Sequence, residues 1–233
     1  MADFGKLAFG IRVGHAVDPS FFWCWTMLLR SGKMRDGDCV LNPAVGLPHA
    51  PACTILLGWF LQSGADALML LDDDMEFTPD AVERLRSDDF GFDVMSALYV
   101  TRKRPHVPIV VTGYDDATSR PKLANFASIK GIMPVDYVGF GMTIVKRKIL
   151  EDLQALYPGQ SPFAFDAQRG EDGRFCDDVR RVGGRIGLNT DVRIGHRTSV
   201  ALYWNKEARD LEFSENDYGL GLARDERKTQ QEK

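Results

Sequence analysis

The apolar run Leu68-Met69-Leu70-Leu71 stops abruptly in Asp72-Asp73-Asp74, and Met75-Glu76-Phe77 follow. A short continuous apolar run of this kind predicts a parallel strand buried on both faces. Its C-terminal end then carries the acids, and in open α/β sheets that end is where ligands bind. The competing expectation is a helix N-terminus, because Thr78-Pro79-Asp80 come next and acids favour the positive end of a helix dipole.

The rest of the pattern alternates strand-like and helix-like stretches. Leu7 to Gly14 predicts a first strand, followed by a loop from His15 to Pro19 and a helix capped near Asp18 or Ser20. Cys39 to Asn42 is a short second strand, Ala52 to Gln62 a helix, and Pro79 to Leu85 another with proline in its first turn. Asp93 to Val100 predicts a strand that runs into Thr101-Arg102-Lys103-Arg104-Pro105, and the polar segment from Tyr114 to Lys130 a mobile loop. Val135 to Val145 has strand composition, and Gly139 and Gly141 in it suit backbone lying close to a ligand. Lys146 to Leu156 continues as a helix, and a second helix opens at Glu171-Asp172, with apolar positions at Phe175, Val179 and Val182 and glycines at its end. Arg185 to Leu188 and Asp191 to Ile194 resemble edge strands that close in Gly195-His196. From Asn205 onward the chain is charged and poor in apolar residues, which predicts a surface helix and a frayed tail.

Composition narrows the class. The length of 233 residues suits one sizeable core, here assigned to 1–204 with 205–233 as the tail, and no repeat or low-complexity linker divides it. A net charge of -4 gives no hint of a general polyanion-binding surface. Cys24, Cys39, Cys53 and Cys176 lack CxxC spacing, which argues for reduced, buried thiols in a cytoplasmic protein. The first residues carry no secretory pattern, and the run from Phe21 to Leu29 is about half the length that a bilayer span needs.

Three adjacent carboxylates at a strand end repel one another and call for positive charge, which a hard divalent cation supplies compactly. The basic residues after Tyr99 are suited to a diphosphate, since guanidinium and ammonium groups pair strongly with phosphate oxygens. A solvated charged loop is the equal alternative there, just as Glu171 and Asp172 can be mere dipole partners and His49 a plain loop histidine. Neither GxGxxG nor GxxxxGK[ST] is present, so a dinucleotide fold and a P-loop both lack their fingerprint.

Taken together, LLDDDMEF after a strand, GEDGRFCDDVRRVGG opening a helix and Gly195-His196 after a later strand resemble glycosyltransferases of the GT-A fold, family 2-like, of bacterial or phage type. The segment from Tyr99 to Pro105 and VDYVGFGMTIVKRKIL add to the likeness, which covers roughly residues 50 to 200. The resemblance implies a Rossmann-like three-layer α/β sandwich with a mostly parallel central sheet and a small antiparallel edge. It implies metal-dependent transfer of a hexose from a UDP- or GDP-sugar to a hydroxyl acceptor, with Mn²⁺ or Mg²⁺ held by Asp74, Asp72 and His196. Donor contacts then fall to Asp72, Asp73, Arg12, Arg102 and Lys103, with Arg197 as a second phosphate candidate. Asp172 becomes the base of an inverting reaction with Glu171 orienting, or both serve acceptor binding in a retaining one; Gly139 and Gly141 lie on the acceptor side.

The first strand carries Gly10-Ile11-Arg12-Val13-Gly14 where family 2 commonly has a proline-containing turn, and Asn42-Pro43 replaces an acidic strand ending. The nucleotide is therefore not specified. The acceptor can be a glycan, a small metabolite or a hydroxymethylated DNA base; nucleic acid is not favoured, since neutralising phosphates needs a basic face. Two other classes compete. A sugar nucleotidyltransferase predicts a glycine-rich basic loop after the first strand, which residues 14 to 20 lack; a non-catalytic binding module has no use for the whole acid and histidine set. Oligomeric state is not specified by the pattern.

Overall fold

The structure is a computed structural model. It describes residues 3–87, 90–102, 106–114, 121–165, 170–205 and 210–216.

The first half builds four parallel neighbours and their cover. Strand β1 (Leu7–Val13) leads to helix α1 (Pro19–Arg30), whose N-cap Asp18 accepts from the Ser20 amide at 2.7 Å. Short strands β2 (Cys39–Val40) and β3 (Ala44–Val45) pair parallel with β1, and helix α2 (His49–Gln62) follows. The helix starts at His49, three residues before the expected Ala52, because a proline in a first helical turn has no amide to lose there. The apolar run becomes β4 (Ala67–Asp72), then a turn at Asp73-Asp74, β5 (Met75–Phe77) and helix α3 (Pro79–Ser87). A strand therefore separates the acidic turn from α3, so those acids belong to the strand end and not to the helix N-terminus.

In the second half, β6 (Val94–Leu98) precedes β7 (Val110–Tyr114), which ends where the expected loop begins, and its antiparallel partner β8 (Pro121–Leu123), which lies inside that expected loop. Next come β9 (Ile132–Pro134), β10 (Tyr137–Val138) and β11 (Met142–Lys146). One strand was expected over 135–145; the chain instead changes sheets between β10 and β11, at Gly139 and Gly141. Helices α4 (Arg147–Leu156) and α5 (Glu171–Arg181) lead to β12 (Ile186–His196). The two expected edge strands are one long strand, which pairs parallel with β6 and antiparallel with β5. Finally β13 (Ser199–Asn205) pairs antiparallel with β14 (Asp210–Asn216), so a hairpin strand stands where a surface helix was expected; 217–233 lie outside the described residues.

The central sheet runs β2-β1-β4-β11-β6-β12-β5, parallel at β2, β1, β4, β6 and β12, with β11 antiparallel among them. A smaller sheet, β10-β7-β8, is antiparallel. Strand alternation distributes one apolar run to two cores. Leu68 and Leu70 meet Leu56, Phe60, Leu150 and Phe175 of α2, α4 and α5, whereas Met69 and Leu71 meet Phe21, Leu28, Val82 and Leu85 of α1 and α3. Each such side chain contributes about 1.5–3 kcal/mol by leaving water. The four cysteines are free, with Cys24, Cys53 and Cys176 buried. Among the described residues no helix is long and apolar enough to cross a membrane.

Candidate functional site

The turn after β4 is fastened from four sides. The Asp72 amide donates to the Gly141 carbonyl at 3.0 Å and the Asp73 amide to the Arg12 carbonyl at 3.1 Å. The Asp18 and Arg197 amides donate to the carbonyls of Asp73 and Asp74, at 3.1 and 2.9 Å. The Asp73 carboxylate accepts from the Gly14 amide at 3.0 Å, so this residue ties down the loop after β1. Burial raises its pKa.

Register accounts for the next pair. Arg12 of β1 lies opposite Asp72 of β4, and both continue the set of positions that faces α2 and α5. Arg12 Nη2 stands 2.6 Å from Asp72 Oδ1, and Nη1 donates to Cys53 Sγ of α2 at 3.4 Å and lies 3.9 Å from Glu171 Oε1 of α5. The guanidinium also sits over the Phe140 ring, 5.8 Å from its centroid. Burial raises the pKa of Asp72 despite the compensating Arg12, and it pushes the Cys53 thiol up to about 11. The thiol is thus a neutral packing group.

Asp74 takes a different set of partners. Arg102 Nη1 lies 3.0 Å from Asp74 Oδ2, and His196 Nε2 lies 3.5 Å from the same oxygen. Burial opposes ionisation of Asp74, but His196 and Arg102 outweigh it and hold the carboxyl below its usual range. The other ring nitrogen, His196 Nδ1, is 2.8 Å from the Val100 carbonyl. A carbonyl only accepts, so Nδ1 carries a proton and Nε2 is the nitrogen turned toward Asp74. Tyr99 packs edge-on against the imidazole at 5.4 Å between centroids and fixes its plane.

The acceptor-side candidates occupy the start of α5. Glu171 is buried, with Arg12 at 3.9 Å and His49 Nδ1 at 3.8 Å. Burial raises its pKa, and neighbouring Asp172 adds to the effect. Asp172 Oδ2 accepts from the Tyr137 hydroxyl at 2.5 Å. Burial, with that carboxylate beside it, keeps the Tyr137 phenol protonated. Gly139 and Gly141 have a reason within the protein itself. A Cβ at Gly139 would collide with the Tyr99 hydroxyl, and one at Gly141 would stand 2.9 Å from Met75 Cε. The Gly141 amide donates to that hydroxyl at 3.1 Å, so the close approach is to the protein's own tyrosine.

A cleft of about 560 Å³ opens at this end of the sheet, lined by Arg12, Asp72, Asp73, Asp74, Arg102 and His196, with His49, Tyr99 and Arg197 also on its wall. Glu171 reaches it through Arg12 and His49, whereas Asp172, Gly139 and Gly141 stand off its wall. Lys103 lies outside the described residues. Tyr99 and Tyr137 were not among the expected site residues. Tyr99 had a signal in its place at the end of a strand beside the basic segment; Tyr137, one of several polar strand residues, had none.

Among the described residues no three His, Cys, Asp or Glu side chains form a metal-holding group. Asp72, expected as a shared ligand, is tied to Arg12. Asp74 and His196 nonetheless present a carboxylate oxygen and an oriented imidazole nitrogen side by side, a pair of groups that suits a divalent cation completing its shell from a ligand.

No protein-family profile and no curated protein sequence matches the chain. Solved structures do. The crystal structure of A197 from STIV matches with a TM-score of 0.56 at 21% identity, covering 94% of this chain and 99% of that one. GalNAc-T7, solved with UDP, GalNAc and Mn²⁺, matches with a TM-score of 0.55 at 11% identity over 82% of this chain and 44% of its own. The inositol-1-phosphate CTP transferase from T. maritima, at a TM-score of 0.47 and 10% identity, is too distant to carry weight. At these identities the likeness shows the fold, a Rossmann-like α/β sandwich of the GT-A kind.

Proposed function

We propose that this chain is a glycosyltransferase that uses a divalent cation, Mn²⁺ or Mg²⁺, to move a hexose from a nucleoside-diphosphate sugar to a hydroxyl acceptor. The observation that carries this reading is the meeting of Asp74 and His196, from distant parts of the sequence, in one cleft at the C-terminal end of the parallel strands. GalNAc-T7, a similar fold, was solved with UDP and Mn²⁺.

In this reading Asp74 and His196 hold the cation and Arg102 faces the diphosphate, to which Lys103, the next residue in sequence, is a further candidate contact. The bound cation would stabilise the negative charge that develops on the departing β-phosphate. Asp72 is held in place by Arg12 and presents its outer oxygen to donor hydroxyls. The acceptor hydroxyl approaches from the α5 side. In an inverting transfer its oxygen bonds to the anomeric carbon as the bond to the diphosphate breaks, and its proton passes to Asp172, with Glu171 orienting.

The test is thermal unfolding of the protein with UDP, GDP and their common sugar conjugates, each with Mn²⁺ and with EDTA. A ligand at a hundred times its Kd adds about 2.7 kcal/mol. Stabilisation by one nucleotide only with Mn²⁺, absent in Asp74→Ala, is the expected result. No shift with any nucleotide under either metal condition would sink the donor site.

A further inference from the structure

The negative charge of the acidic turn is already answered by two guanidiniums, and these differ in how firmly they are held. Arg12 is 6% exposed, wedged between Asp72, Cys53 and the Phe140 ring. Arg102 is 36% exposed and stands on the segment just beyond β6, reaching Asp74 Oδ2 at 3.0 Å. That oxygen is the one His196 Nε2 also faces, at 3.5 Å. A divalent cation ligated by Asp74 and His196 must take the place that the Arg102 guanidinium now occupies, since two cations in contact with one oxygen repel strongly. Arg12 has no such freedom, because leaving would strand the half-buried Asp72 without a counter-charge.

We propose that Arg102 is a resident counter-ion of Asp74 that competes with the divalent cation and, once displaced, transfers to the donor's diphosphate. The inference rests on the reading of Asp74 and His196 as cation ligands and adds an exchange of partners to it. The released guanidinium lines the same cleft, and its planar fork suits two phosphate oxygens at once. The cation therefore binds weakly alone and tightly with the donor. Each ligand relieves a cost of binding the other: the cation frees Arg102 for the diphosphate, and the diphosphate keeps Arg102 off Asp74. By linkage, the gain is reciprocal.

The experiment measures binding of Mn²⁺ alone, from the loss of its free paramagnetic signal, to the full chain, Arg102→Gln and Asp74→Asn. Arg102→Gln is expected to bind Mn²⁺ about two- to fivefold more tightly, the scale of removing one partly exposed ion pair. Asp74→Asn loses the binding. A second readout separates exchange from a general change in field: Mn²⁺ should speed phenylglyoxal modification of Arg102 in the otherwise unaltered protein, followed by peptide mass. Unchanged Mn²⁺ affinity in Arg102→Gln, or an unchanged Arg102 modification rate at saturating Mn²⁺, overturns the exchange while the Asp74 result leaves the cation site standing. Mn²⁺ binding that survives Asp74→Asn overturns both.

Discussion

Arg86 with Asp38 and Arg12 with Asp72 are the same two chemical groups at the same 2.6 Å separation, near opposite ends of β1. At the strand's start Arg86 and Asp38 are both fully buried. Asp38 also accepts from the amides of Leu7 and Arg35, each at 2.8 Å, and Arg35 in turn pairs with Asp3 and Glu83. Every contact there joins chain segments to one another. At the strand's end Asp72 is 16% exposed to a cleft, and Asp73, Asp74 and Glu171 crowd the same place. There four acids face two guanidiniums at an open cleft, against three acids to two at the strand's start, and burial raises the pKa of Asp72, Asp73 and Glu171. The difference teaches that a buried ion pair does not itself mark a functional site. Surplus like charge turned toward an open cleft does, because folding alone gives no reason to collect it.

Asp38→Asn is the largest expected effect, since it leaves Arg86 charged and fully buried, with only Glu83 at 4.0 Å for a partner and no open cleft beside it. A loss of about 3–5 kcal/mol in urea unfolding is expected, with a fall to match in melting temperature. Asp72→Asn leaves Arg12 with Glu171 nearby and the cleft open to water, so its cost should be less than half as large. Equal costs would erase the distinction between the two ends.

Much of this was legible in the sequence, for identifiable reasons. The run to Leu71 reads as a doubly covered strand because it is short, continuously apolar and cut off by acids, and the three aspartates then fall where the sheet ends. His196 was found from its order after a strand, and it does meet Asp74. The partners of these groups were less visible. That Arg12 faces Asp72 depends on the register of β1 against β4, and a shift by one residue would turn it to the other core. The role of Gly139 and Gly141 depends on a tyrosine about forty positions earlier, a contact that no local pattern records. Asn205 onward looked helical because charge suppresses the strand signal, yet Asp210 to Asn216 alternate Leu211 and Phe213 with polar residues, as a hairpin strand does.

Glu171→Gln sharpens the comparison from the site end. The folded-state pKa of Glu171 is raised, so this group contributes stability that is fully present below its unfolded pKa of about 4.3 and lost as pH rises through the folded value. Glutamine does not titrate. The variant should therefore be more stable than the parent at pH 7, by about 0.5–1 kcal/mol, with the gap closing as pH falls toward 4. Unfolding in urea at several pH values measures it. A variant less stable at pH 7 would show that Glu171 serves the fold, like Asp38, through its approach to Arg12 and His49.

The smallest effect, and the one that separates two carboxylates of the site, is expected from Tyr137→Phe. The phenol donates to Asp172 Oδ2 at 2.5 Å and so holds that carboxylate in one orientation. Phenylalanine keeps the ring that packs beside α5 and removes only the donor. If Asp172 takes the acceptor's proton, losing that orientation lowers kcat by less than about tenfold and leaves donor affinity unaltered. The reasoning is local: Asp72, Asp74, Arg102 and His196 do not touch Tyr137, so nothing that grips the donor is disturbed. An unchanged kcat would move the role of base from Asp172 to Glu171, the carboxylate that lies beside Arg12 and His49.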